Sequence, residues 1–181
     1  MNREEAVALL KKHLKNPRLR SHSYAVEACM RAMAERLGHD PVPWALAGVI
    51  HDLDYEATDK SPELHTIETV RILREREVDE SVIHAVQAHA EKVPCQSPMD
   101  WAIYSVDPLT GLIVAAALMH PEKKLKAVDL TFLKNRYKEK SFAKGAHREN
   151  IEQSKNLGLE LDEFLSICLK AMQDISETLG L

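Results

Sequence analysis

Apolar residues recur at helical spacing along most of the chain, and this periodicity constrains the fold more than any other feature. Between Pro17 and Gly38 the apolar positions fall at i, i+3, i+4, i+7 and i+11, which is one helical face. The same criterion and the capping residues predict helices over residues 3–14, 43–55, 63–76, 79–90, 99–119, 130–139 and 161–179. No run alternates as a strand would. The sequence therefore predicts an all-α fold, a compact bundle of several helices.

Length and composition limit the class of protein. A chain of 181 residues with 45% hydrophobic residues is expected to form a single domain with a real core. The net charge of −4 gives no reason to expect DNA as a partner. Three scattered cysteines form neither a disulfide framework nor a CxxC metal motif. The charged start Met-Asn-Arg-Glu-Glu lacks the apolar run of a signal peptide, so we expect a cytoplasmic protein.

One segment is apolar enough to raise the question of a membrane. Residues 101–119 are about as long as a bilayer is thick, but Asp107 lies within them, followed by Pro108 and Gly111. A carboxylate at the centre of a membrane helix costs roughly 2.5–3.5 kcal/mol. We therefore predict a buried core helix that carries one special carboxylate, and no membrane partner.

Histidines and aspartates cluster in the apolar helices and at their ends. His51 and Asp52 are adjacent in the third predicted helix, which also carries small residues such as Gly48 that favour close helix packing. His22 precedes this pair, and Asp107 follows it in the apolar helix. A buried carboxylate needs a cation, a donor or a metal, because burial without a partner is costly.

The residue types in this cluster indicate a metal. Imidazole and carboxylate ligands without thiolate suit Mn, Fe, Co, Ni or Zn, and carboxylates also accept Mg. With His65 and His89, five or six such ligands are too many for one closed tetrahedral site. They are enough for an open site, or for two divalent metals.

The order His22, His51-Asp52 and Asp107 on successive helices resembles the HD superfamily of metal-dependent phosphohydrolases. The text HSYAVEACMRAMAERLG…WALAGVIHDLDYE is similar to the first two helices of that family. The resemblance covers about residues 18–112. It implies a single HD domain over residues 1–181, with a helical extension over residues 113–181 and a metal site between the central helices.

The resemblance also implies a ligand set and an activity. His22, His51, Asp52 and Asp107 match the core metal ligands, and His65 in ELHTIE and His89 in VQAHAE look like the added ligands of binuclear members, where Asp52 would bridge the metals. The implied reaction is hydrolysis of a nucleotide or another small phosphate ester or anhydride by a metal-activated water. The sequence departs from the cyclic dinucleotide enzymes, because Leu53-Asp54-Tyr55 replaces Ile-Gly-Lys and no GYP motif occurs.

Further residues are candidates for contact with substrate. Asp54 and Glu56 are candidates for a general acid or for partners of a metal-bound histidine. Lys60, in the loop after the His-Asp pair, is a candidate phosphate contact. Residues 122–148 hold nine Lys or Arg against three acids, and Lys140, Lys144 and Arg148 would share one face if that part were helical, a phosphate-binding rim.

Each of these assignments has a plainer alternative. The His51-Asp52 pair can be a structural hydrogen bond, Asp107 can cap a helix that starts at Pro108, and the basic stretch can be a solvated face. His65 and His89 can be surface residues. The other histidines are expected to be non-ligands: His84 lies off the face of His89, and His13, His39, His120 and His147 are expected to be exposed.

Two classes of function stay open at this point. The first is the phosphohydrolase, whose partner would be a small phosphorylated molecule. The second is a catalytically weak sensor or adaptor that binds metal and nucleotide. The sequence leaves the metal identity and the oligomeric state undecided.

Overall fold

A computed structural model describes residues 1–59 and 61–181, and these residues form ten α-helices and no strand. The all-α prediction is therefore confirmed. Two short 3-10 helices cover Leu125–Ala127 and Glu152–Leu157. The α-helices are α1 Arg3–His13, α2 Pro17–Leu37, α3 Pro41–Ile50, α4 Ile67–Glu75, α5 Glu80–His89, α6 Pro98–Met119, α7 Leu130–Lys138, α8 Arg148–Ile151, α9 Leu161–Asp174 and α10 Ser176–Leu179.

Polar caps set where the long helices begin. Asn16, Asp40 and Ser97 each accept a backbone N–H of the first turn, and in each case a proline follows at the first helical position. Proline suits that position because its missing N–H would have no partner inside the helix. These caps place the starts of α2 and α6, which carry His22 and Asp107, and of α3, which His51 and Asp52 directly follow.

The two longest helices, α2 and α6, form the centre of the bundle. Helix α2 packs against α3, α6 and α9, and α6 packs against α5 and the C-terminal elements. One continuous core results, in which Met30 of α2, Ile103 of α6 and Phe164 of α9 are all fully buried. Helix α6 crosses the expected boundary at residues 112–113 without a break. The division into a core region and an extension stays a prediction.

Helices α2 and α3 approach each other closely at Gly48. A Cβ atom at this position would lie 2.8 Å from the backbone N and Cα of Glu27, closer than real Cβ contacts. Only glycine lets the two backbones meet at this distance. The expectation that small residues mark close packing is confirmed here, and the contact fixes α3 just before His51.

Three helix predictions and one alternative need correction. The fourth helix starts at Ile67 rather than at residue 63, because residues 62–66 form turns. The third helix ends at Ile50, and residues 51–59 form successive turns. Helix α6 is capped by Ser97 and runs straight through Asp107 and Pro108, so the alternative of Asp107 as an N-cap is wrong. The last helix breaks at Ile175 into α9 and α10.

Helix α6 is long and apolar enough to cross a bilayer by length and composition alone. However, 56% of its most apolar stretch is buried inside the protein. This burial is what the prediction of a core helix requires.

Candidate metal centre

The fold brings the six predicted metal ligands together from five parts of the chain. His22 lies in the second turn of α2, and His51 and Asp52 directly follow α3. His65 lies in the turns before α4, His89 is the last residue of α5, and Asp107 lies in the middle of α6. Their imidazole and carboxylate groups meet where α2, α3, α5 and α6 pack.

The two carboxylate oxygens of Asp52 face different histidines. Oδ2 lies 3.4 Å from Nε2 of His51 and 3.9 Å from Nε2 of His22. Oδ1 lies 3.2 Å from Nε2 of His65 and 3.4 Å from Nε2 of His89. Asp52 therefore stands between two pairs of imidazoles, with one oxygen for each pair.

Asp107 completes one side of this arrangement. Its Oδ1 lies 2.9 Å from Nε2 of His22 and 3.9 Å from Nε2 of His51. Ligand atoms of His22, His51 and Asp107 all lie within 4.8 Å of one another, and the same holds for His51, Asp52 and His89. Groups this close are able to share a metal ion.

Backbone carbonyls orient two of the imidazoles. Nδ1 of His51 lies 2.8 Å from the carbonyl oxygen of Gly48, and Nδ1 of His89 lies 2.5 Å from that of Val86. A carbonyl oxygen only accepts hydrogen bonds, so each Nδ1 carries the proton. In the neutral rings Nε2 then holds the lone pair, which is the form that binds metal.

Side chains do the same for the other two imidazoles. The hydroxyl of Thr110 donates to the carbonyl oxygen of Asp107 at 2.9 Å, so it accepts from Nδ1 of His22 at 3.0 Å. Nδ1 of His65 donates to Oδ1 of Asp54 at 3.0 Å. All four Nε2 atoms are therefore directed at Asp52 or Asp107, with the opposite ring nitrogen occupied.

The placement of Asp54 identifies it as a positioning group. Its side chain is 1% exposed, does not line the cavity at the site, and accepts backbone N–H groups of Thr66 and Thr69 at 3.0 Å as well as His65. These three bonds hold the carboxylate away from any substrate. These contacts favour the alternative in which Asp54 is the partner of the candidate ligand His65, and a catalytic role for Asp54 stays a prediction that they do not support.

Thr66, next to His65, has a strained backbone. Its φ of 72° is in the left-handed region, which is unfavourable for a β-branched residue. Such strain costs of order 1–3 kcal/mol and persists where the surroundings enforce it. Here the N–H of Thr66 is bound by Asp54, so the strain accompanies the positioning of His65.

The charges of the cluster are strongly coupled. Burial lowers the pKa of His51, but Asp52 and Asp107 outweigh it and raise this pKa to about 9. Burial also lowers the pKa of His65, but Asp52 and Asp54 outweigh it and raise this pKa to about 9. Burial raises the pKa of Asp52, but the imidazoles of His51, His65 and His89 outweigh burial and hold this pKa well below its usual range. The ionised carboxylates thus favour positive charge at Nε2 of His51 and of His65, whereas burial lowers the pKa of His89.

The donor set fits a divalent metal. Nε2 of His51 is buried and has no hydrogen-bond partner among the described residues. Nε2 of His65 and Nε2 of His89 lie only 3.1 Å apart. In both rings Nδ1 carries the proton, so the lone pairs of the two Nε2 atoms would face each other unless a cation lay between them. Protons and a divalent cation therefore compete for these atoms, as expected at a metal site.

A cavity of about 510 Å³ opens onto the cluster. His22, Asp52, His65, His89 and Asp107 are exposed to it, and His51 lies behind them. The cavity is also lined by residues that the sequence did not single out as ligands: Tyr55, Tyr104, Ala143, Gly145, His147 and Asn150. His147 was expected to be an exposed non-ligand. Its side chain is 64% exposed, yet it borders the cavity.

The predicted phosphate-binding rim is arranged differently. Residues 139–147 form turns, so Lys140, Lys144 and Arg148 do not share a helical face. Lys140 and Lys144 are exposed and do not line the cavity, and their contact with phosphate stays a prediction. Lys60 lies outside the described residues.

Arg148 binds backbone carbonyls of the preceding turns. Its guanidinium donates to five backbone carbonyls at 2.7–3.4 Å, and it does not line the cavity. This placement does not support Arg148 as a substrate contact, which stays a prediction. The acceptors are the carbonyl oxygens of Tyr137, Glu139, Phe142, Ala143 and Ala146.

Glu56 and His84 form contacts outside the His/Asp cluster. Glu56 accepts the backbone N–H groups of Lys15 and Asn16 at 2.7 and 3.1 Å, which ties the turns after α3 to the α1–α2 link. His84 lies outside the cluster, with Nδ1 at 3.0 Å from Asp100. The expectation that His84 is not a ligand agrees with this placement.

These features define a class of protein: an all-α protein with a buried His/Asp centre, fit for divalent metal, at the floor of a cavity. A family model for the HD domain matches residues 19–117, more than half of the chain. The chain therefore belongs to the HD domain family, whose members bind divalent metals and are generally metal-dependent phosphohydrolases. No curated protein and no solved structure gave a match to the chain.

Proposed function

We propose that this protein is a phosphohydrolase that cleaves a nucleotide or another small phosphate ester or anhydride. The observation that carries the proposal is the common orientation of the four imidazoles. Each Nδ1 is bound to an acceptor, and each Nε2 is directed at Asp52 or Asp107 beside an open cavity. A purely structural His/Asp pair would not need this convergence.

We propose two metal positions that share Asp52. His22, His51, Asp107 and Oδ2 of Asp52 would hold one metal, and His65, His89 and Oδ1 of Asp52 would hold the other. When bound, one or two divalent metals lower the pKa of a coordinated water and neutralise phosphate charge. Mn, Fe, Co, Ni, Zn or Mg is the candidate ion.

The chain's own residues would supply orientation and substrate contacts. Thr110 and Asp54 hold His22 and His65 in the tautomer that leaves Nε2 free. Tyr104, His147 and Asn150 are polar groups on the cavity wall outside the ligand set. The hydroxyl of Tyr104 donates to Oε1 of Glu91 at 2.7 Å, so we expect it to accept a hydrogen bond from the part of the substrate that does not react, and we expect His147 and Asn150 to donate to that part. We also expect the protein to act in the cytoplasm.

The proposal is tested by phosphate release. The protein is freed of metal, reloaded with each of the six ions in turn, and given a panel of nucleotides, p-nitrophenyl phosphate and bis-p-nitrophenyl phosphate. We expect hydrolysis with at least one ion, and a fall of at least 100-fold in Asp52→Asn. Hydrolysis that is unchanged in Asp52→Asn would contradict the proposal.

A second outcome would favour the sensor or adaptor. In that case no panel member is hydrolysed with any ion, yet a nucleotide raises the melting temperature of the metal-loaded protein. The same nucleotide would leave the melting temperature of Asp52→Asn unchanged, because the ligand would bind through the metal.

A further inference from the structure

A second cavity adjoins the metal-site cavity. It has a volume of about 500 Å³ and lies between the start of α2, the second half of α6 and the C-terminal residues. His22 and Gly111 line both cavities, so the two spaces meet at these residues. Arg18 and Ser21 also border the second cavity. Its remaining walls, which we call the apolar groove, are Pro17, Val114, Leu118, Leu179 and Leu181.

Gly111 at the junction has no structural explanation. It lies inside α6, where glycine is less favourable than alanine by about 1 kcal/mol. Its φ is not in the left-handed region, and a Cβ atom there would meet nothing within 4 Å. Gly111 therefore differs from Gly48, which a close helix contact requires. A side chain at residue 111 would enter open space at the border that the two cavities share.

The two cavities differ in polarity: the metal-site cavity carries the His/Asp cluster with Tyr55 and Tyr104, and the second cavity is mostly aliphatic, with Arg18 at its border. Among residues 1–59 and 61–181, no Lys or Arg lines the metal-site cavity, so its metal centre is the main source of positive charge for a phosphate. The apolar groove beyond Gly111 is aliphatic and carries no aromatic ring on which a nucleobase would stack. Together they suit a single phosphate joined to a flexible hydrocarbon chain.

We propose that the substrate is a phosphate monoester of an aliphatic alcohol, with its chain passing over Gly111 into the apolar groove. This inference rests on the proposed phosphohydrolase function. In the reaction, the oxygen of water bonds to phosphorus and the bond from phosphorus to the alcohol oxygen breaks. A proton from water ends on that oxygen, so the products are the free alcohol and inorganic phosphate.

A chain-length series tests the inference. The values of kcat/KM are measured for ethyl, butyl, hexyl and octyl phosphate below their micelle concentrations. In parallel, binding of the matching alkyl phosphonates with Mn²⁺ is measured by calorimetry. We expect both quantities to rise about three- to fourfold per methylene until the groove is filled, as burial of a CH₂ group predicts.

Matched substitutions on α6 locate the chain. Leu118 lines the groove and is 54% exposed, whereas its neighbour Met119 is 63% exposed and does not line it. We expect Leu118→Gln to lower the hexyl-to-ethyl ratio at least threefold and Met119→Gln to preserve it. Gly111→Leu should remove the dependence on chain length, because the side chain would occupy that shared border.

The outcomes separate this inference from the proposed function. A flat series with measurable hydrolysis, or a preference for nucleotides, would overturn the aliphatic substrate and leave the phosphohydrolase intact. A dimer that dissociates in Leu118→Gln would show that a second copy fills the groove, which also overturns the inference. If nothing is hydrolysed, the phosphonate affinities still decide whether the groove binds a chain.

Discussion

At the scale of single residues, metal binding by the His/Asp cluster depends on which ring nitrogen of each histidine carries the proton. Gly48, Val86, Thr110 and Asp54 make that choice, and none of them lines the cavity. Partners of this kind typically account for a 10- to 100-fold difference in metal affinity. Their removal is therefore a sharper test of the metal centre than removal of a ligand.

Replacement of Thr110 by valine keeps the shape of the side chain and removes the acceptor for His22. We expect Thr110→Val to weaken Mn²⁺ binding about 10- to 100-fold, measured by calorimetry. Ser105→Ala is the control, because this buried hydroxyl of the same helix has no partner among the described residues. Equal affinities of the two variants would show that His22 does not need Thr110.

Replacement of Asp54 by asparagine should affect only one of the two metal positions. Three N–H donors converge on Asp54, from His65, Thr66 and Thr69, so an amide group must turn its own NH₂ toward a donor. We expect Asp54→Asn to bind one metal tightly and the second at least tenfold more weakly. A variant that loses both metals in parallel would contradict separate sites.

The sequence was sufficient to single out the six candidate ligands that the fold brings together, but not the orientation of their side chains. His22, His51 and Asp107 were singled out because polar residues stood in apolar helices. Thr110 carried no such signal, since a threonine in a buried helix is ordinary. Asp54 was recognised as a candidate, and only the geometry separated a general acid from a partner of His65.

At the scale of elements, the contact between α2 and α3 sets the position of His51 and Asp52. We expect Gly48→Ala to destabilise the protein by about 1–3 kcal/mol, because its Cβ would clash with the Glu27 backbone. Gly111→Ala is the matched control and should stabilise by about 1 kcal/mol, since space is open there. Urea unfolding with a chelator present measures both, and a neutral Gly48→Ala would refute the close contact.

The turns over residues 139–147 depend on Arg148. Lysine retains the charge but cannot serve five carbonyls, so we expect Arg148→Lys to raise amide hydrogen exchange in these turns by at least tenfold. Lys155→Met, at an exposed residue of a 3-10 helix, is the control and should leave that exchange unchanged. Unaltered exchange in Arg148→Lys would mean that the turns are held by other contacts.

The predicted helix boundaries agree with the structure where the apolar periodicity is strong, and they fail where tertiary contacts determine the local structure. The sequence predicts α2, α5 and α6 to within about two residues because each has a clear cap and face. The sequence predicts that the third helix continues to residue 55, but residues 51–59, which include His51 and Asp52, form turns. The prediction of one basic helical face over Lys140, Lys144 and Arg148 failed because residues 139–147 form turns, whose backbone carbonyls accept hydrogen bonds from Arg148.

At the scale of the whole molecule, the cavity is formed by segments far apart in the chain. The candidate ligands come from residues 22–107, whereas Ala143, His147 and Asn150 come from the C-terminal third and also line the cavity. Local patterns cannot show that these segments meet. The sequence therefore singled out the buried His/Asp cluster but not the other residues that line the cavity.

The most direct test of the central claim is the metal content of the protein, purified without chelator and measured by inductively coupled plasma mass spectrometry. The account predicts close to two equivalents of a divalent transition metal per chain, and nearly none in Asp52→Ala. One equivalent would leave His65 and His89 outside the centre. A wild-type protein that holds no metal, even after incubation with Mn, Fe, Co, Ni or Zn, would contradict the account.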